Sequence, residues 1–119
     1  MQAGHDHMRL AAWMMYLSGL LHFLVPAVAG PSPEALGMIV PGAIWAGLGF
    51  CLIRTGWRWL AYAGFGLALL GMIAAVALAT GAGPAPDWLG WAIFAADLSV
   101  AAALFVVLWR DAPADGPTA

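Results

Sequence analysis

The stretch WLAYAGFGLALLGMIAAVALAT, from Trp59 to Thr80, decides the fold of this chain. It contains neither a charged residue nor a proline. It also has the ~20 residues that an α-helix needs to cross a hydrocarbon layer of ~30 Å. A continuous apolar run of this length is too long for a strand and too apolar for a surface helix of a small soluble domain. The stretch therefore predicts a transmembrane helix.

Three further apolar segments of similar length share the chain with it, at about residues 10–29, 35–53 and 88–109. Short breaks rich in Gly, Pro or Arg separate the four segments, and none is long enough to hold a domain. We therefore predict an all-α polytopic membrane protein, with a four-helix transmembrane bundle over residues 10–110. Residues 1–9 are predicted to be an N-terminal tail. The polar, Pro-containing residues 111–119 are predicted to be a disordered C-terminal tail.

The composition leads to the same conclusion. Of 119 residues, 64% are hydrophobic and 8% are charged, whereas soluble domains are about 45–50% apolar and about 25% charged. A soluble chain with this composition could not cover its surface with polar groups, so its solvent must be lipid. There is no basic patch for nucleic acid, and the single cysteine, Cys51, excludes an internal disulfide.

The basic residues predict the orientation of the bundle. All of them are arginines that precede the first span, occupy the second connection or follow the fourth span: Arg9, Arg54, Arg58 and Arg110. With four spans these positions lie on one side of the membrane, and the positive-inside rule places them, with both termini, in the cytoplasm. The absence of Lys and Asn beside abundant Ala, Gly and Pro indicates a bacterial genome rich in G and C. We therefore predict location in the bacterial inner membrane.

Tryptophans and helix-end residues agree with these limits. Six tryptophans fall near predicted span ends, as in an aromatic belt, and Trp45 alone lies in mid-span. Ser32 is predicted to cap the second helix, and Asp87 to do the same for the fourth. Pro26 and Pro41 lie inside spans and are predicted to bend or loosen them.

Small residues spaced four apart predict where the helices approach one another closely. Four such stripes occur: Ala43 with Gly47, Gly64 with Ala68, Gly71 with Ala75, and Ala95 with Ser99 and Ala103.

A few polar side chains share one layer of the predicted bundle. At ~1.5 Å per residue, His22 lies about 12 Å, and Trp45 and Asp97 about 15 Å, from the non-cytoplasmic ends of their spans. Ser18 lies one turn from His22 on the same face. A carboxylate near the bilayer centre is costly, so we predict that Asp97 points inward, toward His22 or Trp45, or else is protonated. The layer is interpreted either as a protonatable site for proton or solute passage or as a hydrogen bond that fixes the helix register.

The histidines raise the question of a cofactor or metal. His22 could ligate the metal of a haem or pigment, but a second intramembrane histidine for bis-His haem is absent. His5, Asp6 and His7 are interpreted as a solvated tail rather than a metal site. We predict neither a metal nor a cofactor.

Several short motifs resemble those of DoxX-like small four-helix integral membrane proteins. The matching stretches are Gly19-Leu20-Leu21-His22-Phe23 with Pro26, Ile39-Val40-Pro41, and the turn from Arg54 to Arg58. The resemblance implies a four-helix bundle and no defined activity, because members are largely uncharacterised or act as partners of other membrane proteins. Asp97 has no counterpart in the pattern.

The sequence indicates a function that is not enzymatic, because no nucleophile–base set, phosphate loop or carboxylate pair is present. The first interpretation of the sequence is an accessory or assembly subunit of a larger inner-membrane complex, respiratory or photosynthetic. Its predicted partners are lipids, other integral membrane subunits or further copies of itself. One alternative is a small transporter or channel-like oligomer that uses Asp97 and His22. The other is binding of a pigment, quinone or lipid between helices.

Overall fold

The computed structural model describes residues 2–83 and 85–110, and every regular element there is helical. Five α-helices follow one another: α1 (Gln2–Ala29), α2 (Pro33–Gly37), α3 (Ile39–Thr55), α4 (Arg58–Ala77) and α5 (Asp87–Phe105). Wider helical turns extend α5 through Val106–Arg110, whereas in Leu78–Ala82, which follows α4, the backbone leaves the helical conformation at Thr80 and Gly81. The all-α prediction is confirmed.

Four stretches are long and apolar enough to cross a membrane: Asp6–Ala29, Pro33–Thr55, Arg58–Gly81 and Asp87–Arg110. They agree with the predicted spans to within a few residues, and we refer to them as the first to fourth spans. The N-terminus differs from the prediction, because α1 already begins at Gln2, where a tail was expected. The predicted C-terminal tail, residues 111–119, and the His5 side chain lie outside the described residues.

Helix-end chemistry explains where the second and fourth spans begin. The Ser32 hydroxyl accepts a hydrogen bond from the Ala35 amide at 3.1 Å, with Pro33 at the first helical position, as predicted. Asp87, by contrast, is the first residue of α5 and does not cap it through its side chain. Its carboxylate still stands in the first turn, where it complements the positive end of the helix dipole.

Pro41 divides the second span into two helices. A proline has no amide hydrogen, and its ring crowds the carbonyl four residues earlier. That residue is Gly37, where α2 ends; Met38 then joins α2 to α3. The predicted interruption at Pro41 is thus confirmed. At Pro26 the helix instead continues to Ala29.

The helices do not pack in chain order. α1 packs along both α3 and α5, and α4 packs along α5. α3 and α4 touch only slightly, although Gly56 and Trp57 alone connect them. The four spans are therefore arranged in the order second, first, fourth, third, with a gap between the second and third.

Glycines bring α1 and α3 together. A methyl group on Gly42 would lie 2.8 Å from Cε1 of Phe23 and 3.0 Å from the Gly19 carbonyl oxygen, so only glycine fits there. Gly49, two turns later, faces α1 in the same way, with the Ala12 carbonyl 3.1 Å from its Cβ position. This contact does not use the predicted stripe of Ala43 and Gly47, because Gly47 has no neighbour within 4 Å.

The predicted stripes of small residues on α4 and α5 differ in whether they are buried in the bundle. On α4, Gly64, Ala68 and Ala75 are buried, and Gly71 lies against Asp97, so both stripes there face the bundle as expected. On α5, Ala95 and Ser99 are exposed, and only Ala103 of the predicted stripe is buried. The buried face of α5 lies elsewhere on the helix and combines large with small residues: Leu89, Gly90, Ile93, Ala96, Val100, Ala101 and Leu104. A four-residue spacing of small residues occurs by chance in helices so rich in Ala and Gly, which explains why two of the four stripes do not mark contacts between helices of the described chain.

The arginines gather at the end of the bundle that holds the termini. Arg9 and Arg54 line one cleft there, and the Arg58 guanidinium donates to the Leu108 carbonyl at 2.8 Å. Arg110 is the last described residue of the fourth span. The charge asymmetry on which the predicted orientation depends is therefore present in the folded chain.

Candidate functional site: a polar layer beside a cleft

Three polar side chains are buried in the described part of the chain: Ser18, His22 and Asp97. They lie between two apolar clusters. One cluster includes Met15 and Val100, and the other includes Val25 and Ile93. The first and fourth spans thus carry polar side chains at the same level, between apolar clusters. This is the layer that counting residues along the spans predicted.

Asp97 faces the interior, fully buried, and is bonded to Ser18. The Ser18 hydroxyl donates to Oδ1 of Asp97 at 2.5 Å, a short hydrogen bond between the first and fourth spans. The sequence suggested His22 or Trp45 as the partner. His22 is instead engaged one turn along its own helix, and the shorter serine side chain meets the carboxylate.

The second carboxylate oxygen of Asp97 has no hydrogen-bond partner. Oδ2 is fully enclosed, the one such unpaired side-chain atom among the described residues. It lies against Gly71 of α4, in the space that a side chain would fill, since a Cβ atom there would collide with it. The Trp45 ring also lies close by, with Cζ2 3.9 Å from the same Cβ position. The layer is therefore assembled from all four spans.

The tautomer of His22 follows from its hydrogen bond. Nδ1 lies 2.6 Å from the Ser18 carbonyl oxygen, and because a carbonyl only accepts, Nδ1 carries the hydrogen. In the neutral ring Nε2 is then an acceptor, and it makes no hydrogen bond to the described part of the chain. The peptide group of His22 has a similar feature, because Pro26 removes the amide that its carbonyl would otherwise bond.

A cavity of about 410 Å³ fills the gap between α3 and α4 and borders this layer. Pro41 and Trp45 form part of one wall, and Leu70 and Ala74 form part of the other. His22 belongs to the lining as well, from the first span. Leu70 is 66% exposed, so the cavity opens sideways, toward whatever surrounds the bundle.

Two of the lining residues carry nitrogen on an otherwise apolar surface, His22 and Trp45. The Trp45 indole is only 2% exposed, and its N–H has no hydrogen-bond partner among residues 2–83 and 85–110. Among the described residues, Oδ2 of Asp97 is the one unpaired side-chain atom that is fully enclosed. The unpaired Trp45 nitrogen is therefore not fully enclosed and borders open space. Two residues that line the cavity therefore each carry a nitrogen without a hydrogen-bond partner in the described part of the chain, an acceptor on His22 and a donor on Trp45.

Residue counting located the layer but missed the cavity. The cavity exists because α3 and α4 fail to pack, and both helices have apolar, Gly-containing surfaces that look equally able to do so. The available signal was Trp45, the one tryptophan away from the span ends. A large side chain with a polar N–H in mid-span indicates an internal space or partner.

The layer has limited chemical capability. Among the described residues, no three His, Cys, Asp or Glu side chains stand close enough to hold a metal. The Ser18 hydroxyl donates to Asp97, and His22 bonds to the Ser18 backbone carbonyl, so Ser18 and His22 do not form a serine–histidine pair through their side chains. The arrangement is suited to hydrogen bonding in an apolar setting.

No family model, curated protein or solved structure matches the chain significantly. The resemblance to DoxX-like proteins therefore stays a prediction.

Proposed function

We propose that this chain is a non-catalytic protein of the bacterial inner membrane, with both termini in the cytoplasm, that binds a lipid-soluble molecule between its second and third spans. The observation that carries the proposal is the 410 Å³ cavity with apolar walls and two unpaired nitrogen groups. Ligand pockets have volumes of about 300–1,000 Å³ and combine apolar walls with a few placed polar groups.

Entry from the bilayer is consistent with the position of the cavity. Leu70 and Ala74 are exposed on the outer side of α4, so in a membrane the opening faces hydrocarbon. A molecule dissolved in the bilayer would reach the cavity without crossing water. The charged side chains of the described residues lie elsewhere, at the bundle end of the arginines or in the connections, except Asp97, which is enclosed behind Gly71.

Photolabelling tests the proposal. The full chain is reconstituted in phosphatidylcholine vesicles with a twelve-carbon hydrocarbon that carries a diazirine. We expect saturable labelling of the cavity wall around Leu70 and Ala74, in excess of labelling at Ile73, which is exposed at the same depth but does not line the cavity.

Two matched variants complete this experiment. Ala74→Phe fills the cavity and should abolish the excess, whereas Val76→Phe adds the same ring outside the cavity and should preserve it. Equal labelling of Ile73 and of the cavity wall in the unmodified protein, by this hydrocarbon and by the corresponding alcohol alike, would contradict the proposal.

A second candidate is the accessory or assembly subunit of a larger membrane complex. The specific observation is the outward face of α3, where Ala43 is exposed and Gly47 has no neighbour within 4 Å. A small-residue stripe that is unused within the chain is suited to close packing against a helix of another subunit. The second span is also the least buried of the four.

Co-migration in a mild detergent tests this candidate. A stoichiometric partner should accompany the wild-type chain from native membranes and should be lost from Gly47→Leu. Ile44→Leu, a conservative change at an exposed neighbour, should retain it. Migration of the wild-type chain without any partner would argue against an accessory role.

A further inference from the structure

The two unpaired nitrogens restrict what the cavity binds. Trp45 Nε1–H is a donor without acceptor capacity, and Nε2 of neutral His22 is an acceptor because Nδ1 donates to the Ser18 carbonyl. Both residues line the same cavity, and both are more than nine-tenths buried. A purely hydrocarbon ligand would leave these groups unbonded in an apolar space, which is unfavourable.

Charge restricts the ligand further. The four arginines lie at the end of the bundle that holds the termini, and the cavity lining contains no charged side chain. An anionic headgroup would therefore lack a counter-ion, and the Asp97 carboxyl behind Gly71 would repel it when ionised. A cationic ligand would meet no exposed carboxylate, since Oδ2 of Asp97 is enclosed.

We propose that the cavity binds a neutral, lipid-soluble molecule through a hydroxyl group. The hydroxyl donates its hydrogen to Nε2 of His22, and its oxygen accepts from the Trp45 indole N–H. A hydroxyl is both donor and acceptor, so one such group uses both nitrogens. The apolar remainder lies against the walls formed by Pro41, Leu70 and Ala74. This inference rests on the proposed function and specifies the class of molecule.

The layer behind the cavity holds the recognition groups in place. The Ser18 carbonyl fixes the His22 tautomer, and the Ser18 hydroxyl bonds to Asp97 of the fourth span. Gly71 lets the Asp97 carboxyl approach α4 without entering the cavity. Asp97 does not line the cavity and is not part of the proposed contact with the ligand.

Three matched probes test the inference in the wild-type protein. They are a twelve-carbon diazirine alcohol, its methyl ether and the corresponding hydrocarbon, each in phosphatidylcholine vesicles with labelling normalised to Ile73. The ether keeps the acceptor and loses the donor, and the hydrocarbon lacks both. A hydrogen bond of ordinary net strength corresponds to about a fivefold change in affinity. We expect half-saturation at the lowest mole fraction for the alcohol, then about fivefold higher for the ether, and highest for the hydrocarbon.

Two variants assign the bonds. Trp45→Phe removes the N–H, so the ether should label no better than the hydrocarbon while the alcohol stays ahead of the ether. His22→Phe removes Nε2, so the alcohol and the ether should become equal. Because the probe series is measured in the unmodified chain, the inference stays falsifiable even where a variant fails to fold.

The outcomes separate the two proposals. Equal saturation by all three probes at the cavity wall would overturn the hydroxyl inference and leave lipid-soluble ligand binding in place. Absence of excess cavity labelling by every probe would overturn both. Stronger labelling by the hydrocarbon than by the alcohol would also overturn the hydroxyl inference.

Discussion

Asp97 shows how a single acidic residue is accommodated in an apolar bundle. An ionisable side chain at the centre of a span costs about 2.5–3.5 kcal/mol on insertion scales. The fold offsets part of this cost with one short bond from Ser18 and leaves Oδ2 unpaired. The packing around Gly71 keeps water from Oδ2, so the remaining cost is offset only by the rest of the fold.

Loss of the Ser18 hydroxyl should destabilise the fold. Ser18→Ala leaves both oxygens of Asp97 without a partner among the described residues, and interhelical hydrogen bonds in membranes contribute about 0.6 kcal/mol on average and up to about 1.7 kcal/mol. We expect a loss in that range in the free energy of unfolding, measured by SDS titration of the purified protein. Ser99→Ala, at an exposed serine that bonds only within α5, should change it by less than about 0.5 kcal/mol. Equal losses from the two variants would contradict this account.

A methyl group at Gly71 should be more damaging than one at Gly66. Gly71→Ala places Cβ where Oδ2 of Asp97 lies, and overpacking a close-packed site typically costs about 1–3 kcal/mol. Gly66 has open space around its Cβ position, so Gly66→Ala should cost nothing. The same SDS titration measures both variants. In an Asp97→Ala background the penalty at position 71 should shrink, and an undiminished penalty would show that another contact causes it.

At the scale of single residues, the sequence predicted the depth of the polar side chains in the membrane but did not predict which of them bond to each other. The depth of His22, Trp45 and Asp97 follows from the rise of a helix, which is nearly constant. Which side chains bond depends on rotation of the helices about their axes and on side-chain reach. Those quantities are decided by packing, so Ser18 rather than His22 bonds to Asp97.

At the scale of the elements, glycine spacing determines which helices touch. Gly42 and Gly49 lie seven residues apart on one face of α3, on either side of Trp45, and both press against α1. The sequence contains this pattern as plainly as the exposed pair of Ala43 and Gly47. The local sequence does not distinguish the buried pair of glycines from the exposed pair of small residues. The two pairs differ only in which face of α3 the other helices cover.

Substitution within α3 should separate these two faces. Gly42→Ala forces a methyl group into contact with Phe23 and the Gly19 carbonyl, so we expect a loss of about 1–3 kcal/mol and a wider separation of α1 and α3. Gly47→Ala is the matched control in the same helix and should be neutral. Unfolding by SDS gives the free energy, and spin labels on the two helices give the distance. A neutral Gly42→Ala would refute the close approach.

For the whole molecule, the most informative asymmetry is that of charge. Arg9, Arg54 and Arg58 gather at one end, and Glu34 and Asp87 stand in or beside the connections at the other. The sequence predicted this arrangement fully, because an even number of spans and the position of each residue suffice. The gap between the second and third spans was beyond reach, since neighbours in sequence usually pack together.

Cysteine accessibility tests the orientation. In a Cys51→Ala background, Pro31→Cys places a thiol in the first connection and Thr55→Cys places one at the last residue of α3, beside the second connection. In intact spheroplasts a membrane-impermeant maleimide should label the first variant and should label the second only after permeabilisation. The reverse pattern would place the termini outside.

The slight contact between α3 and α4 has a consequence for how the chain is assembled. Its first half joins its second half through the long contact of α1 with α5 and the bond from Ser18 to Asp97, and the peptide link after Gly56 contributes little packing. Two separate polypeptides, divided between Gly56 and Trp57 and produced together, should therefore find each other in the bilayer and co-purify through a tag on either one. Failure to co-purify would mean that the interface between the two halves is too weak to hold them together without the peptide bond that links them. The molecule thus consists of two helical hairpins that associate as the subunits of a heterodimer would, although one gene encodes both.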